Sequence, residues 1–294
     1  MTVLSLLRRR PAVTGAGRPR EAVVLSGGGS LGAAQIGALR ALLEAGIRPD
    51  LFVGCSVGAL NAAAMASDPT LGRLDELERI WRGLTARDVF GGTRRTVATH
   101  LVRRDDHLYE PEALRALLRR AVPLRDLSET VVPCHVVTTD LQNGASCWWS
   151  SGDPVTVLSA SACLPAVFPP VALGGSLHVD GGVTNPVPVS RALDLGATRT
   201  WVLDVTGGTL GRRDARMTAL DVLLLSFAIS RSGLDTRPAD RPGQRVARLP
   251  KLETDQHELR DFSKTAALID QGYGAMQDLV RSELASIPQP RRAS

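Results

Sequence analysis

Aromatic residues are scarce in this chain, with five Phe, four Trp and two Tyr among 294 residues. The basic residues therefore have no rings interleaved among them, which removes the stacking platforms that a nucleic-acid surface needs. No nucleic-acid partner is expected. Cysteine is sparse too. Cys55, Cys134, Cys147 and Cys163 form no C-x-x-C pair and show no ligand spacing with histidine. They exclude a disulfide scaffold or a zinc finger and read as small buried residues of a reducing cytoplasm. His100, His107 and His135 sit in no supporting pattern. The expectation is no metal and no cofactor, with turnover that persists in excess chelator. The amino terminus lacks an apolar stretch followed by a cleavage site, so no secretory signal is read there. Val155–Val179 is long and uncharged, but Pro165, Pro169, Pro170, Gly174 and Gly175 argue against a membrane helix. A soluble, cytoplasmic protein is expected.

Positive charge is in excess. The net charge is +5 with a pI near 9.5, and arginine carries nearly all of it. Much of it lies at Arg8, Arg9, Arg10, Arg18 and Arg20, at Arg212 and Arg213, and at Arg291 and Arg292. Such runs are ordinarily solvated tails and loops. Transient contact with an anionic lipid surface is the functional alternative.

Glycine is placed where it counts. Ser26-Gly27-Gly28-Gly29-Ser30-Leu31-Gly32 follows the apolar run Ala22–Leu25, and Gly54-Cys55-Ser56-Val57-Gly58 follows Leu51–Val53. Each reads as strand, tight turn, helix. The second is a G-x-S-x-G elbow, in which Gly54 and Gly58 let Ser56 stand on a sharp corner with Oγ exposed. In the first, Gly27, Gly28, Gly29 and Gly32 offer amide groups at a helix start, where negative charge is stabilised. A nucleophile beside an anion cradle is the minimum equipment for acyl transfer. Cys55 competes with Ser56 on paper, but it occupies the x position and is expected to point away from the apex.

A third element follows at His178-Val179-Asp180-Gly181-Gly182, where an apolar strand ends in a carboxylate that the backbone can turn closely around. Together with Ser159–Pro170 before it, the three pieces in this order resemble the patatin-like phospholipase family, over roughly Ala22 to Thr206. The resemblance implies a lipid acyl hydrolase that cleaves carboxylic esters with a Ser56–Asp180 dyad, no histidine and an acyl-enzyme. Gly27, Gly28, Gly29 and Gly32 would form its oxyanion hole, and Gly181 and Gly182 complete the aspartate motif. A lipid or fatty-acyl ester is the implied substrate. Leu31 stands where the family's commoner pattern has arginine, which removes a guanidinium that could grip a phosphate head group.

The rest of the chain reads as one domain over residues 21–286, with mobile tails at 1–20 and 287–294. Strands at 22–26, 51–54, 131–141, 145–150, 176–180, 199–205 and 245–249 alternate with helices at 33–45, 57–66, 73–82, 111–121, 154–162, 187–195, 219–229 and 264–284. That alternation predicts an α/β fold, a mostly parallel central sheet covered by helices on both faces, with one antiparallel excursion at the 131–150 hairpin. Leu220–Ile229, with Leu223, Leu224, Leu225 and Phe227, is a candidate rim for an acyl pocket or an ordinary core helix. Three rivals remain on the residues alone. Gly27-x-Gly29-x-x-Gly32 matches a dinucleotide fingerprint, but the acidic residue that fold requires after the next strand is missing, since Asp50 precedes it. A Ser-Asp-His triad would draw on Asp204 with His257, or on His178. A lipid-binding regulatory module would keep the pocket with slow chemistry.

Overall fold

The strands at the centre of the sheet are almost wholly apolar because both of their faces are covered, the one charge being Glu21 at the start of the first. Glu21–Leu25 (β1) and Leu51–Cys55 (β2) are buried at every residue, the pattern of parallel strands sandwiched between helices. The computed structural model describes residues 20–92, 94–103, 105–206, 222, 226, 229–230, 241–252 and 260–285. Around β1 and β2 stand Cys134–Asp140 (β3), Ser146–Trp149 (β4), Val171–Leu173 (β5), Ser176–Asp180 (β6), Arg199–Leu203 (β7) and Arg245–Arg248 (β8). The order is β5-β6-β3-β2-β1-β7-β8, with β4 paired to β3. Pairings β1–β2, β1–β7, β2–β3 and β7–β8 are parallel. An internal ion pair staples β1 to β7: Arg199 donates to Glu21 through both Nε and Nη2, and Trp201 Nε1 donates to the same carboxylate at 2.8 Å.

The antiparallel part is larger than the expected single hairpin. β4 covers one edge of β3 at residues 136–139. The opposite edge is shared: β2 pairs with 134–137, and β6, running the other way, takes over at 138–140. β5 then pairs antiparallel with β6 through Gly174 and Gly175, both at positive φ, a two-residue turn that glycine permits without strain. Because β2 and β6 approach head-on along one edge, Cys55 lies opposite Val137 and Asp180 opposite Thr138. The strand ends next to Ser56 and at Asp180 are therefore neighbours.

Helices Ala33–Glu44 (α1), Val57–Ser67 (α2), Leu71–Gly83 (α3), Pro154–Ser161 (α7), Val189–Asp194 (α8) and Thr265–Ala285 (α9) lie where the periodicity places them. Between α3 and α7, Ala86–Phe90 (α4) and Arg94–Arg103 (α5) were not expected, whereas Glu112–Ala121 (α6) was. α6 starts one residue later than read, with Pro111 as its N-cap. The tails at 1–19 and 286–294, His257, and the expected helix at 219–229 apart from residues 222, 226 and 229 lie outside the described residues. Among the described residues, no helix is long and apolar enough to cross a membrane.

Candidate active site

Ser56 joins β2 to α2 with φ 54° and ψ −126°, a backbone region that non-glycine residues avoid. Its neighbours explain how it is held there. A Cβ on Gly54 would come within 2.5 Å of Ala59 Cα and Gly58 O, and one on Gly58 would overlap the Ser26 and Leu25 carbonyls. Both glycines are thus required for close backbone approach rather than for unusual dihedrals. The Ser56 amide donates to Ser161 Oγ at 3.0 Å, and Ser161 Oγ donates to the Val137 carbonyl at 2.7 Å. Ser161 ties the elbow to β3.

Asp180 is fully buried. Its Oδ1 accepts from the Gly182 amide at 2.7 Å, and the Cys55 thiol reaches the same oxygen at 3.9 Å. Cys55 therefore points at the aspartate rather than merely away from the apex. Gly181 leaves room for β3, since a Cβ there would overlap the Val137 carbonyl. His178 turns elsewhere: its Nδ1 is 2.9 Å from Thr138 Oγ1 and its ring meets Trp149 edge-on at 5.6 Å. Asp204 accepts from Thr206 and from Arg248 Nη1 at 2.6 Å. Asp140 caps the hairpin turn, and the Gln142 amide at 2.7 Å holds its carboxyl below the usual carboxylate range. Asp50 binds the Glu21 amide at 2.9 Å, a structural task at the foot of β1.

The glycine-rich loop is fixed from below by polar side chains that sequence reasoning missed. Gln35 Nε2 donates to the Ser26 carbonyl at 2.9 Å and the Leu203 carbonyl at 3.2 Å. Asn61 Nδ2 donates to Gln35 Oε1 and to the Gly32 carbonyl, and Trp81 Nε1 donates to Asn61 Oδ1 at 2.9 Å. The signal for Gln35 and Asn61 is a lone amide inside an apolar helical run. The loop's own amides are not equivalent. That of Gly27 donates to the Pro186 carbonyl at 3.1 Å and that of Leu31 to the Gly28 carbonyl at 3.2 Å. Gly29 has φ 58°. Gly32 is a packing position, where a Cβ would meet Val57 at 2.6 Å and Trp81 at 3.0 Å. Leu31 is buried in the core.

Gly29 and Ser56 open onto a cavity of about 720 Å³, in part continuous with solvent, whose remaining walls are apolar. Its walls come from α2, α3, α4, α6 and α7 with Phe168 and Phe262. The Leu220–Ile229 rim, including Phe227, lies largely outside the described residues.

The sequence pattern of the family described as patatin-like phospholipase matches residues 23–193, more than half of the chain. The chain belongs to the patatin-like phospholipase family. Among curated relatives, an uncharacterized NTE family protein of Mycobacterium tuberculosis (strain ATCC 25618 / H37Rv) is 29% identical over 234 residues, 76% of this chain and 62% of that protein. Human patatin-like phospholipase domain-containing protein 6 is 29% identical over 63% of this chain and 13% of its own length. The chain thus spans less than two thirds of the relatives it matches. Among solved structures, VipD from Legionella pneumophila superposes with a TM-score of 0.54 at 14% identity, covering 90% of this chain and 67% of that one. The shared fold is the mixed, mostly parallel patatin-like sheet flanked by helices.

Proposed function

We propose that this patatin-like protein is a lipid acyl hydrolase that cleaves carboxylic esters through a Ser56–Asp180 dyad. Ser56 Oγ attacks the ester carbonyl carbon while Asp180 accepts its proton, which then passes to the departing alcohol. Water hydrolyses the acyl-enzyme with the aspartate again taking the proton. The oxyanion falls to the amides of Gly28 and Gly29. Gly27 leaves the donor set because its N–H is spent on Pro186, and Gly32 serves packing. The acyl chain occupies the apolar cavity onto which Ser56 opens. Leu31, buried where a guanidinium could have stood, leaves recognition to the acyl part of the substrate more than to a phosphate.

The observation that carries this reading is the shared edge of β3. It sets a strained serine and a buried carboxylate at adjoining strand ends. Neither a turn nor a cap needs both. A fluorophosphonate should modify Ser56 covalently, because attack on its phosphorus beside the amide cradle mimics the ester reaction. Peptide mapping checks this. Modification of another residue, or none in folded protein, would refute the nucleophile assignment.

A further inference from the structure

Two histidines with no pattern in the sequence meet in space. His100, near the end of α5, and His107, in the loop before α6, have ring centroids 4.7 Å apart. Nε2 of each faces one oxygen: Glu110 Oε1 lies 3.6 Å from His100 Nε2 and 3.8 Å from His107 Nε2. The other nitrogens are held by carboxylates, His100 Nδ1 at 2.8 Å from Asp105 Oδ2 and His107 Nδ1 at 2.8 Å from Asp106 Oδ1. His107 Nε2 is buried and makes no hydrogen bond.

That arrangement has a specific chemical consequence. A carboxylate on Nδ1 keeps the proton there and leaves the Nε2 lone pair free to bind a metal, the second-layer support usual for metal-binding histidines. Zinc bonds to nitrogen and carboxylate oxygen of roughly 2.0–2.2 Å put tetrahedral ligand atoms about 3.4 Å apart. The observed separations exceed this by a few tenths of an ångström, and all three candidate ligand atoms lie within 4.8 Å of one another. Two imidazoles and one carboxylate suit zinc and its neighbours in the first transition row, not calcium or magnesium, which need more oxygen ligands. We propose that His100, His107 and Glu110 bind one zinc ion, with water in the fourth position and Asp105 and Asp106 orienting the imidazoles.

The ion would act as a structural clamp with no part in ester cleavage. The amides of Leu108 and Tyr109 donate to the Val167 carbonyl at 3.3 and 3.0 Å. Tyr109 packs on Phe90 at 5.6 Å, and Phe90 stacks on Phe168 at 5.8 Å. Phe90 and Phe168 line the cavity. Zinc joining α5 to the 105–110 loop therefore braces the cavity wall from behind.

Calorimetric titration of the metal-stripped full chain with zinc chloride should give one equivalent bound. Glu110→Gln and Asp106→Asn, at side chains more than half exposed, should fold normally and weaken zinc binding by about 10–100-fold. His107→Ala should abolish it. Zinc at 100 times its Kd should raise the wild-type Tm by roughly 5 °C, and calcium or magnesium should not. Cobalt at the site should show the intense visible absorption of tetrahedral coordination. The absence of saturable zinc binding, or equal affinity in wild type and the Glu110→Gln and Asp106→Asn variants, would overturn the proposal. If His107→Ala fails to fold, those two variants still decide. None of these readouts depends on hydrolysis, so the clamp and the hydrolase reading stand or fall separately.

Discussion

Ser56 sits in a backbone region that costs on the order of 1–3 kcal/mol, tolerated only where the surroundings over-determine it. Here two close-approach glycines and the Ser161 hydroxyl do so. Ser161→Ala removes the acceptor for the Ser56 amide and the donor to the Val137 carbonyl. Leaving those buried groups unmatched should cost about 1–3 kcal/mol of stability, and the loosened elbow should lower kcat more than it changes KM. Thermal melts and steady-state kinetics on one short-chain ester check both, and a variant with unchanged Tm and kcat would show that the glycines alone hold the elbow. The dyad is tested at the same scale. Asp180→Asn keeps the side chain's shape but removes the proposed proton acceptor, so kcat should fall by about 10²–10⁴-fold. His178→Ala should keep most activity, since His178 is engaged with Thr138 and Trp149. An active Asp180→Asn enzyme would overturn the mechanism, whatever the histidine variant does.

Among the elements, α1 and α9 cross with their backbones in contact. A Cβ on Gly272 would overlap the Ala34 carbonyl, and one on Gly37 the Ile269 carbonyl. No rotamer change can relieve a clash with backbone, so Gly272→Ala should cost about 1–3 kcal/mol by forcing the helices apart. Denaturant midpoints measure this; Gly274→Ala is the control, since nothing lies within 4 Å of a Cβ there. Much of this architecture is legible in the sequence. Ala22–Leu25 and Leu51–Val53 are continuous apolar runs, and the glycines beside Ser26, Ser56 and Asp180 punctuate the ends of β1, β2 and β6, so the elements nearest the site are also the most readable. The direction of β6 is not legible, because a five-residue strand has the same local pattern either way and only pairing with β3 decides it. The cavity wall was hidden for a different reason. On α6, Leu114, Leu117 and Leu118 are buried while Arg119 and Arg120 are exposed, so its composition reads as basic although one face is core. Gln35 and Asn61 belong to no motif, and Ser161 has no legible role within Ser159–Pro170, since all three are defined by carbonyls distant in sequence.

For the molecule as a whole, the pH dependence of stability separates into two windows. His135 on β3 is partly buried beside Arg191, whose Nη2 lies 3.4 Å from its Nδ1. Burial, and secondarily the Arg191 charge, push its pKa down from 6.5 to about 4. The unfolded chain therefore binds a proton near pH 6.5 that the folded chain refuses until about pH 4. By linkage the stability attached to neutral His135 is complete above pH 6.5 and is lost progressively as pH falls towards 4. Asp126 and Asp140 act lower on the scale. Their carboxyls are held below the ordinary value of 3.8, Asp126 chiefly by the Ser128 hydroxyl and Asp140 chiefly by the Gln142 amide. Their contribution is lost only as pH falls through and below that value. Tm should accordingly decline between pH 6.5 and 4.5, before the carboxylates titrate. In His135→Gln, which stays neutral in both states, the decline over that interval should be shallower. A wild-type Tm that stays level from pH 6.5 to 4.5, or an equal slope in the variant, would show that His135 accepts its proton without cost in the folded chain. Since β3 carries both His135 and the edge shared by Ser56 and Asp180, loss of kcat at those pH values should be read only at temperatures below the measured Tm.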